Sequence, residues 1–415
     1  MDMVELIDDG DQFFERLWDV IDNAKICCWI LTYHIGNDLI ANKTLKKLAD
    51  AAERGVNVVL MVDWLNYWPN YALIKELESK GGTVRAVNPM DPWRRYIGGQ
   101  EIFSREVFER YHEKVFVIDD LMIIGSANLD SDYGGAKYGN SNFYDLNIIF
   151  KKKCIEEAQT AFDILSTRYD WYLKIPKIEE IPDENYEILV SEPYYMRWEI
   201  QERILDMIKN AKSKITLVQG YYYNIPKVTK ALKQAIDRGI EVDLLTSKKR
   251  DQPVYKFFLN SWLTKHFKDI GVNVYEFDEQ VLHMKAYICD DREFTIGSFN
   301  NDIWSWQINN ELNLYVNDKV LTKRLIDISN KVKSRSTPVQ YRNHTFKEML
   351  YIRFWEVFYF LSMKAMDTAS EYKLYFEQAF INDSKPLAVK LEKKREKVKK
   401  NMYNYFSLIK FDLYE

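Results

Sequence analysis

The two halves of this chain repeat one another, and that repeat limits the folds open to it more than any other feature. Each half begins with a strand-like run, Trp29-Ile-Leu-Thr-Tyr33 in one and Ile215-Thr-Leu-Val-Gln-Gly-Tyr221 in the other. A helical stretch follows, stops at a glycine and leads into an apolar strand. It reads Ala51-Ala-Glu-Arg-Gly-Val-Asn-Val-Val-Leu60 in one half and Ala235-Ile-Asp-Arg-Gly-Ile-Glu-Val-Asp-Leu244 in the other. A second helix and strand come next, marked by Gly81-Gly-Thr-Val-Arg85 and Gly271-Val-Asn-Val-Tyr275. Then Tyr111-His-Glu-Lys-Val-Phe-Val-Ile-Asp-Asp120 is echoed by Leu282-His-Met-Lys-Ala-Tyr-Ile-Cys-Asp-Asp291. Gly125-Ser-Ala-Asn128 is echoed by Gly297-Ser-Phe-Asn300, and Asp145-Leu-Asn-Ile148 by Glu311-Leu-Asn-Leu314.

Strands alternating with helices predict an α/β fold in two tandem units, each with a mixed, mostly parallel sheet flanked by helices. The expected boundaries are residues 1–173 for the first unit, 174–187 for a linker rich in Pro, Ile and acidic residues, and 188–336 for the second unit. Residues 337–415 have no counterpart in either half and read as a C-terminal helical extension. The first unit carries an insertion, about 87–110, which fits a lid or substrate loop and a plain surface excursion equally well.

Two of the five histidines occupy identical His-x-Lys-(x)4-Asp settings: His112, Lys114 and Asp119, then His283, Lys285 and Asp290. Residues two apart on a strand share a face, so each imidazole should stand beside its own ammonium. That pairing suits a divalent metal poorly, because the ammonium repels the ion and cannot ligate it while protonated. It suits a phosphoryl group well. Two lysines neutralise the charge on its oxygens, one neutral imidazole attacks phosphorus, and the other gives a proton to the leaving alcohol. Asp145 and Glu311 are the candidates for orienting the imidazoles. Ser126 with Asn128, and Ser298 with Asn300, follow at a turn where they could donate hydrogen bonds to phosphate.

Bulk properties exclude several alternatives. With 47% apolar and 15% aromatic residues the chain can bury a large core. Its net charge of −4 argues against a protein that mainly coats nucleic acid. The four cysteines show no metal-ligand spacing, and they fit buried thiols in a reducing compartment. No stretch approaches the roughly 18 charge-free apolar residues of a membrane span. The acidic N-terminus is unlike a signal peptide. The expected location is cytoplasmic, with peripheral membrane attachment.

With both His-x-Lys-(x)4-Asp motifs, both Gly-Ser-x-Asn turns, Gly10-Asp-Gln-Phe-Phe14 and the Ala-Ala-x-Arg-Gly-Val helix end in place, residues 5–335 resemble the phospholipase D superfamily. Within it they are most similar to bacterial-type cardiolipin synthases. The resemblance implies two pseudo-twofold-related phospholipase D-like domains and a metal-independent, two-step reaction with no cofactor. It makes His112 the nucleophile of a covalent phosphohistidine and His283 the general acid. It assigns Lys114, Lys285, Asn128 and Asn300 to phosphate binding, and Asp145 and Glu311 to orienting histidine. Asp119 and Asp290 complete the catalytic motif in a more structural role. The first unit departs from the pattern by using Asp145 where Glu is usual and by a longer stretch, 129–144, before it.

Three function classes follow. A glycerophospholipid transphosphatidylase or phospholipase is favoured. Its segment at about 385–410, basic residues followed by aromatic ones, reads either as a solvated charged helix or as a helix lying on an anionic membrane surface with the aromatics as anchors. A phosphodiesterase acting on nucleic acid by the same two histidines is the alternative, supported by Trp93-Arg-Arg95 and Lys248-Lys-Arg250. A catalytically silent binding protein is the third, disfavoured by two complete motifs.

Overall fold

The computed structural model describes residues 4–93, 108–151, 185–193, 197–223, 225–249 and 270–339, besides Phe267 and a few single positions between 345 and 354. The basic segment at 385–410, most of the 87–110 insertion and nearly all of the linker lie outside the described residues.

The first half supplies β1 (Val4–Ile7), β2 (Cys27–Thr32), β3 (Asn57–Asp63) and β4 (Thr83–Val87). It continues with β5 (Val115–Ile118), β6 (Leu121–Gly125), β7 (Phe143–Tyr144) and β8 (Asn147–Lys151). Helices α1 (Gly10–Asn23), α2 (Leu39–Glu53) and α3 (Tyr71–Ser79) pack on its sheet, whose strand order is β1-β8-β6-β5-β2-β3-β4. The second half supplies β9 (Tyr186–Glu192), β10 (Arg197–Trp198), β11 (Lys214–Gln219), β12 (Glu241–Ser247) and β13 (Asn273–Phe277). Then come β14 (Val281–Leu282), β15 (Lys285–Cys289), β16 (Glu293–Gly297), β17 (Glu311–Val316) and β18 (Ser336–Pro338). Its helices are α4 (Glu199–Asn210), α5 (Pro226–Asp237), α6 (Ile303–Gln307) and α7 (Lys319–Ser334). The second sheet runs β10-β9-β17-β16-β15-β11-β12-β13-β18, so the same central order appears twice.

The helix ends fall where the sequence places them. Gly55 and Gly239 adopt φ of 90° and 85° just past α2 and α5, a conformation that costs glycine nothing. Parallel pairing is confined to β2-β3-β4 and β11-β12-β13, so a mostly parallel sheet is not what forms. The remaining neighbours in each sheet are antiparallel. The reason is local: β5 and β6 are joined across Asp119 and Asp120 alone, too short for the crossover that a parallel pair needs. In the second sheet, pairing begins at Tyr186, opposite Val316, and ends at Pro338, opposite Tyr275.

Side chains alternate along each central strand between two buried layers, which is why these strands read as unbroken apolar runs. Cys27, Trp29 and Leu31 of β2 face a core shared with Val218, Ala286, Ile288, Leu312 and Leu314 of the other half. Cys28 and Ile30 face α1 and α2, and Tyr287 and Cys289 face α4 and α5. The two sheets therefore sandwich one core between them, with a helical layer outside each. Truncating Leu31 or Leu312 to alanine in that shared layer costs about 2–5 kcal/mol and loosens the contact that aligns the halves.

Candidate active site

The histidines do not lie on the strands that follow them. β5 starts at Val115, and His112 and Lys114 sit in the extended lead-in. The backbone of the opposite half holds that lead-in. His112 N–H donates to the Asn310 carbonyl at 2.9 Å, beside a parallel bridge between Tyr111 and Asn310. The mirror arrangement holds His283, whose N–H donates to the Tyr144 carbonyl at 2.9 Å, where β14 pairs in parallel with β7. Each histidine thus enters next to the residue that precedes the other half's acid.

The side chains follow that exchange. His112 Nδ1 lies 2.9 Å from Glu311 Oε2, and His283 Nδ1 lies 2.7 Å from Asp145 Oδ1. Ser126 Oγ donates to Asp145 at 2.6 Å, and Ser298 and Ser305 both donate to Glu311. Ser126 and Ser298, expected on phosphate, direct their one hydroxyl proton at Asp145 and Glu311 in this structure. Asn128 Nδ2 donates to Tyr133 Oη at 2.7 Å, while the buried Oδ1 of Asn300 has no hydrogen-bond partner among the described residues. Lys114 Nζ folds back to the His112 carbonyl at 2.6 Å. Lys285 Nζ reaches the His283 carbonyl at 2.8 Å and its Nε2 at 3.0 Å.

Asp119 and Asp290 stand apart from this centre, just past the far ends of β5 and β15. Asp119 accepts from the backbone N–H groups of Lys25, Ile26 and Cys27, and Asp290 from those of Lys212, Ser213 and Lys214. Both adopt positive φ, 51° and 57°, which short polar side chains tolerate best. They fasten the turn before the central strand and touch nothing that reacts.

All four charged side chains at the centre are buried. Burial pulls His112 down to about 4 against the attraction of Glu311, with Lys114 helping to lower it. His283 is lowered by burial and by Lys285, against Asp145. Lys114 falls to about 7, chiefly through burial, with Lys285 lowering it further. Burial works against the Asp145 and Glu311 carboxylates, yet the adjacent imidazoles and lysines hold both below the ordinary carboxylate range. At neutral pH each imidazole is then neutral, gives Nδ1–H to a carboxylate and keeps its lone pair on Nε2.

Aromatic rings wall the centre, and the sequence reasoning did not assign them. Tyr33 packs edge-on to His112 at 4.7 Å, while Tyr221, Tyr133 and Phe143 surround His283 at 5.8, 5.3 and 5.0 Å. Tyr33 and Tyr221 both follow repeated strands, which was a usable signal. They are one residue out of register, since Leu31 pairs with Val115 where Val218 pairs with Ala286. Residue-by-residue alignment of the halves therefore does not superpose them. His34 braces neighbouring loops, with its ring nitrogens 3.1 Å from the Asn66 carbonyl and from Asp130.

Residues 17–165 and 204–332, more than half of the chain, match the family model described as cardiolipin synthase, PLD-like domain. The chain belongs to that family. Cardiolipin synthase B of Salmonella typhi is 27% identical over 343 residues, 78% of this chain and 78% of its own. The cardiolipin synthase of Geobacillus thermodenitrificans is 24% identical over 351 residues, 81% of this chain and 67% of its own. Among solved structures, phosphatidylserine synthase of Haemophilus influenzae Rd KW20 shares the fold with a TM-score of 0.67 at 14% identity, over 88% of this chain and 95% of that one. As a cardiolipin synthase-like member of the phospholipase D superfamily, the protein is a phosphodiesterase or transphosphatidylase whose family-level chemistry is phospholipid phosphatidyl transfer. No described helix is long and apolar enough to cross a membrane.

Proposed function

We propose that the enzyme cleaves or transfers the phosphatidyl group of glycerophospholipids through a covalent phosphohistidine on His112, with His283 as general acid and then base and no metal in the reaction. The observation that carries this reading is the crossed pair of imidazole–carboxylate contacts, His112 with Glu311 and His283 with Asp145, flanked by two buried lysines. The two ammonium groups suit a phosphodiester anion and repel a divalent cation.

His112 Nε2 attacks phosphorus, and the leaving alkoxide takes a proton from His283 Nε2. In the second step water or an alcohol gives its proton back to His283 and attacks phosphorus, and the phosphorus–nitrogen bond breaks. An arriving phosphodiester anion favours the protonated form of the imidazole facing it, so substrate itself can charge His283. A difference between the two Nε2 atoms supports this order of roles. Among the described residues His112 Nε2 has no hydrogen-bond partner, whereas His283 Nε2 is 3.0 Å from the Lys285 ammonium. A lone pair without a donor is the better nucleophile.

Lipid rather than nucleic acid is supported by the names of the relatives and by the rim of the site. The loop after β3 exposes Leu65 and Trp68, at 42 and 65%, and Tyr71, the first residue of α3, is 58% exposed. That loop is zipped to the segment after Tyr33 by the Ile35–Tyr67 bridge. Exposed aromatics beside the mouth suit an interfacial substrate.

Product analysis by mass spectrometry tests the proposal, using phosphatidylglycerol and cardiolipin vesicles with EDTA present, a His112→Ala control and single-stranded DNA in parallel. New cardiolipin, or phosphatidic acid with free head group, absent with His112→Ala, is the expected result. Untouched lipid with shortened DNA would overturn the substrate and leave the two-histidine chemistry. A phospho-adduct trapped on His283 instead of His112 would reverse the assigned roles.

A further inference from the structure

The stretch between Asn128 and Asp145 is longer than its counterpart between Asn300 and Glu311, and the chemistry above uses none of its polar side chains. It builds a cavity. Asp132, Ser141, Asn142 and Phe143 form one wall of a space of about 190 Å3, and Lys249 and Gln280 of the other half stand opposite. The walls are fixed before any ligand arrives. Gln280 Nε2 donates to the Ser141 carbonyl at 2.8 Å, and Val281 N–H to the Asn142 carbonyl at 2.8 Å. Asn140 and Asn142 both donate to Asp132 Oδ1, at 3.0 and 2.8 Å.

Phe143 ties this cavity to the reaction. Its ring lines the space and also packs against the His283 imidazole at 5.0 Å, held there by stacking on Tyr133 at 4.7 Å. The cavity therefore opens one ring away from the histidine that handles the alcohol's proton. Its size is that of about six water-sized groups, which matches a three-carbon polyol. Its lining mixes donors and acceptors, as hydroxyl groups require. Asp132 and Lys249 bring one charge of each sign, and the Glu279 carboxylate is already paired with the Arg335 guanidinium, so the lining has no excess positive charge to hold a second phosphate.

We propose that this cavity binds the alcohol half of the reaction, a neutral glycerol-type polyol, and so decides how often the phosphohistidine passes to an alcohol instead of to water. The inference rests on the phosphatidyl-transfer reading given above. In the step concerned, an acceptor hydroxyl oxygen bonds to phosphorus and its proton passes to His283 Nε2. The bond from phosphorus to His112 Nε2 breaks, its electron pair returning to the imidazole. Water and alcohol compete for one intermediate, so the ratio of transfer to hydrolysis reads this step alone.

The test measures that ratio for the full chain and for Asp132→Asn and Lys249→Met, which alter opposite walls. One arm uses phosphatidylglycerol vesicles. A second uses phosphatidylethanolamine vesicles with free glycerol added. The expected result is a fall in the transfer-to-hydrolysis ratio of about three- to tenfold in each variant. A fall in both arms assigns the cavity to the glycerol moiety from either source, and a fall with phosphatidylglycerol alone assigns it to the lipid-borne head group. Lys249 is exposed, so its variant carries the test if Asp132→Asn folds poorly. Active variants whose ratios match the unaltered protein in both arms overturn the cavity's role and leave the phosphatidyl chemistry standing. An unaltered protein that cleaves no phospholipid overturns that chemistry, and this inference with it.

Discussion

His112 Nδ1 lies 2.9 Å from Glu311 Oε2, although 199 positions of sequence separate the two residues. With the reciprocal contact from His283 to Asp145, neither half of the chain holds a complete histidine–acid pair of its own. The repeat thus makes one site, not two. Glu311→Gln keeps the shape but removes the charge that fixes the Nδ1–H tautomer of His112, and Asp145→Asn does the same for His283. Each is expected to lower kcat on the order of 100-fold, read from initial rates of product release. A loss below about threefold in either variant would mean that the crossed acids do not orient the reacting imidazoles.

The lowered values of His112 and Lys114 set the pH dependence. His112, pulled to about 4 by burial, is protonated and unable to attack only below that value, so kcat/KM should fall as pH drops through about 4. Lys114, lowered to about 7, is charged below that value and loses its grip on phosphate above it, so kcat/KM should also fall as pH rises through about 7. His283, lowered by burial and needing its proton to act as the acid, adds to the alkaline fall, so the free enzyme has a bell-shaped profile. Lys114→Met should reduce kcat/KM at every pH and leave only the alkaline fall that comes from His283. A limb unchanged in that variant would assign it to another group.

Asp119 should behave as a structural residue. Asp119→Ala removes the acceptor of three backbone N–H groups and puts a residue with no polar side chain at φ of 51°. We expect a loss of about 2–3 kcal/mol of stability, seen as a lower denaturant midpoint. The folded fraction should keep a kcat within about twofold of the unaltered protein. A folded but inactive Asp119→Ala enzyme would return this residue to the catalytic set.

The repeat made the α/β units, the glycine-terminated helices and the two histidine motifs legible in the sequence, because each depends on local spacing. Pairing partners were not local. That Glu311 serves His112 depends on the parallel run of Tyr111 beside Asn310 across the shared core, which no periodicity within either half encodes. The contacts of Ser126 and Ser298 were out of reach for the same reason. A serine at a turn near phosphate is chemically a donor either way, and only the placement of Asp145 and Glu311 decides where its proton goes. The antiparallel share of each sheet followed from the two-residue link at Asp119 and Asp120, visible in sequence only once β5 and β6 are known to be neighbours.

The exposed rim gives the last prediction. Trp68 and Tyr71 stand largely in solvent, on and just past the loop joined to the segment after Tyr33, and in water nothing rewards their exposure. If the site works on a bilayer, both rings insert at its surface. Even half of the roughly 1.5–3 kcal/mol available from burying each ring amounts to about a tenfold or larger change in partitioning for the pair. Trp68→Ser combined with Tyr71→Ser should therefore lower co-sedimentation with phosphatidylglycerol vesicles by about that factor. It should depress turnover of vesicle lipid more than turnover of a short-chain, monomeric phospholipid. Equal losses on the two substrates would show instead that the loop acts on the site itself, through the Asn66 carbonyl that holds His34 and the Ile35 bridge beside Tyr33.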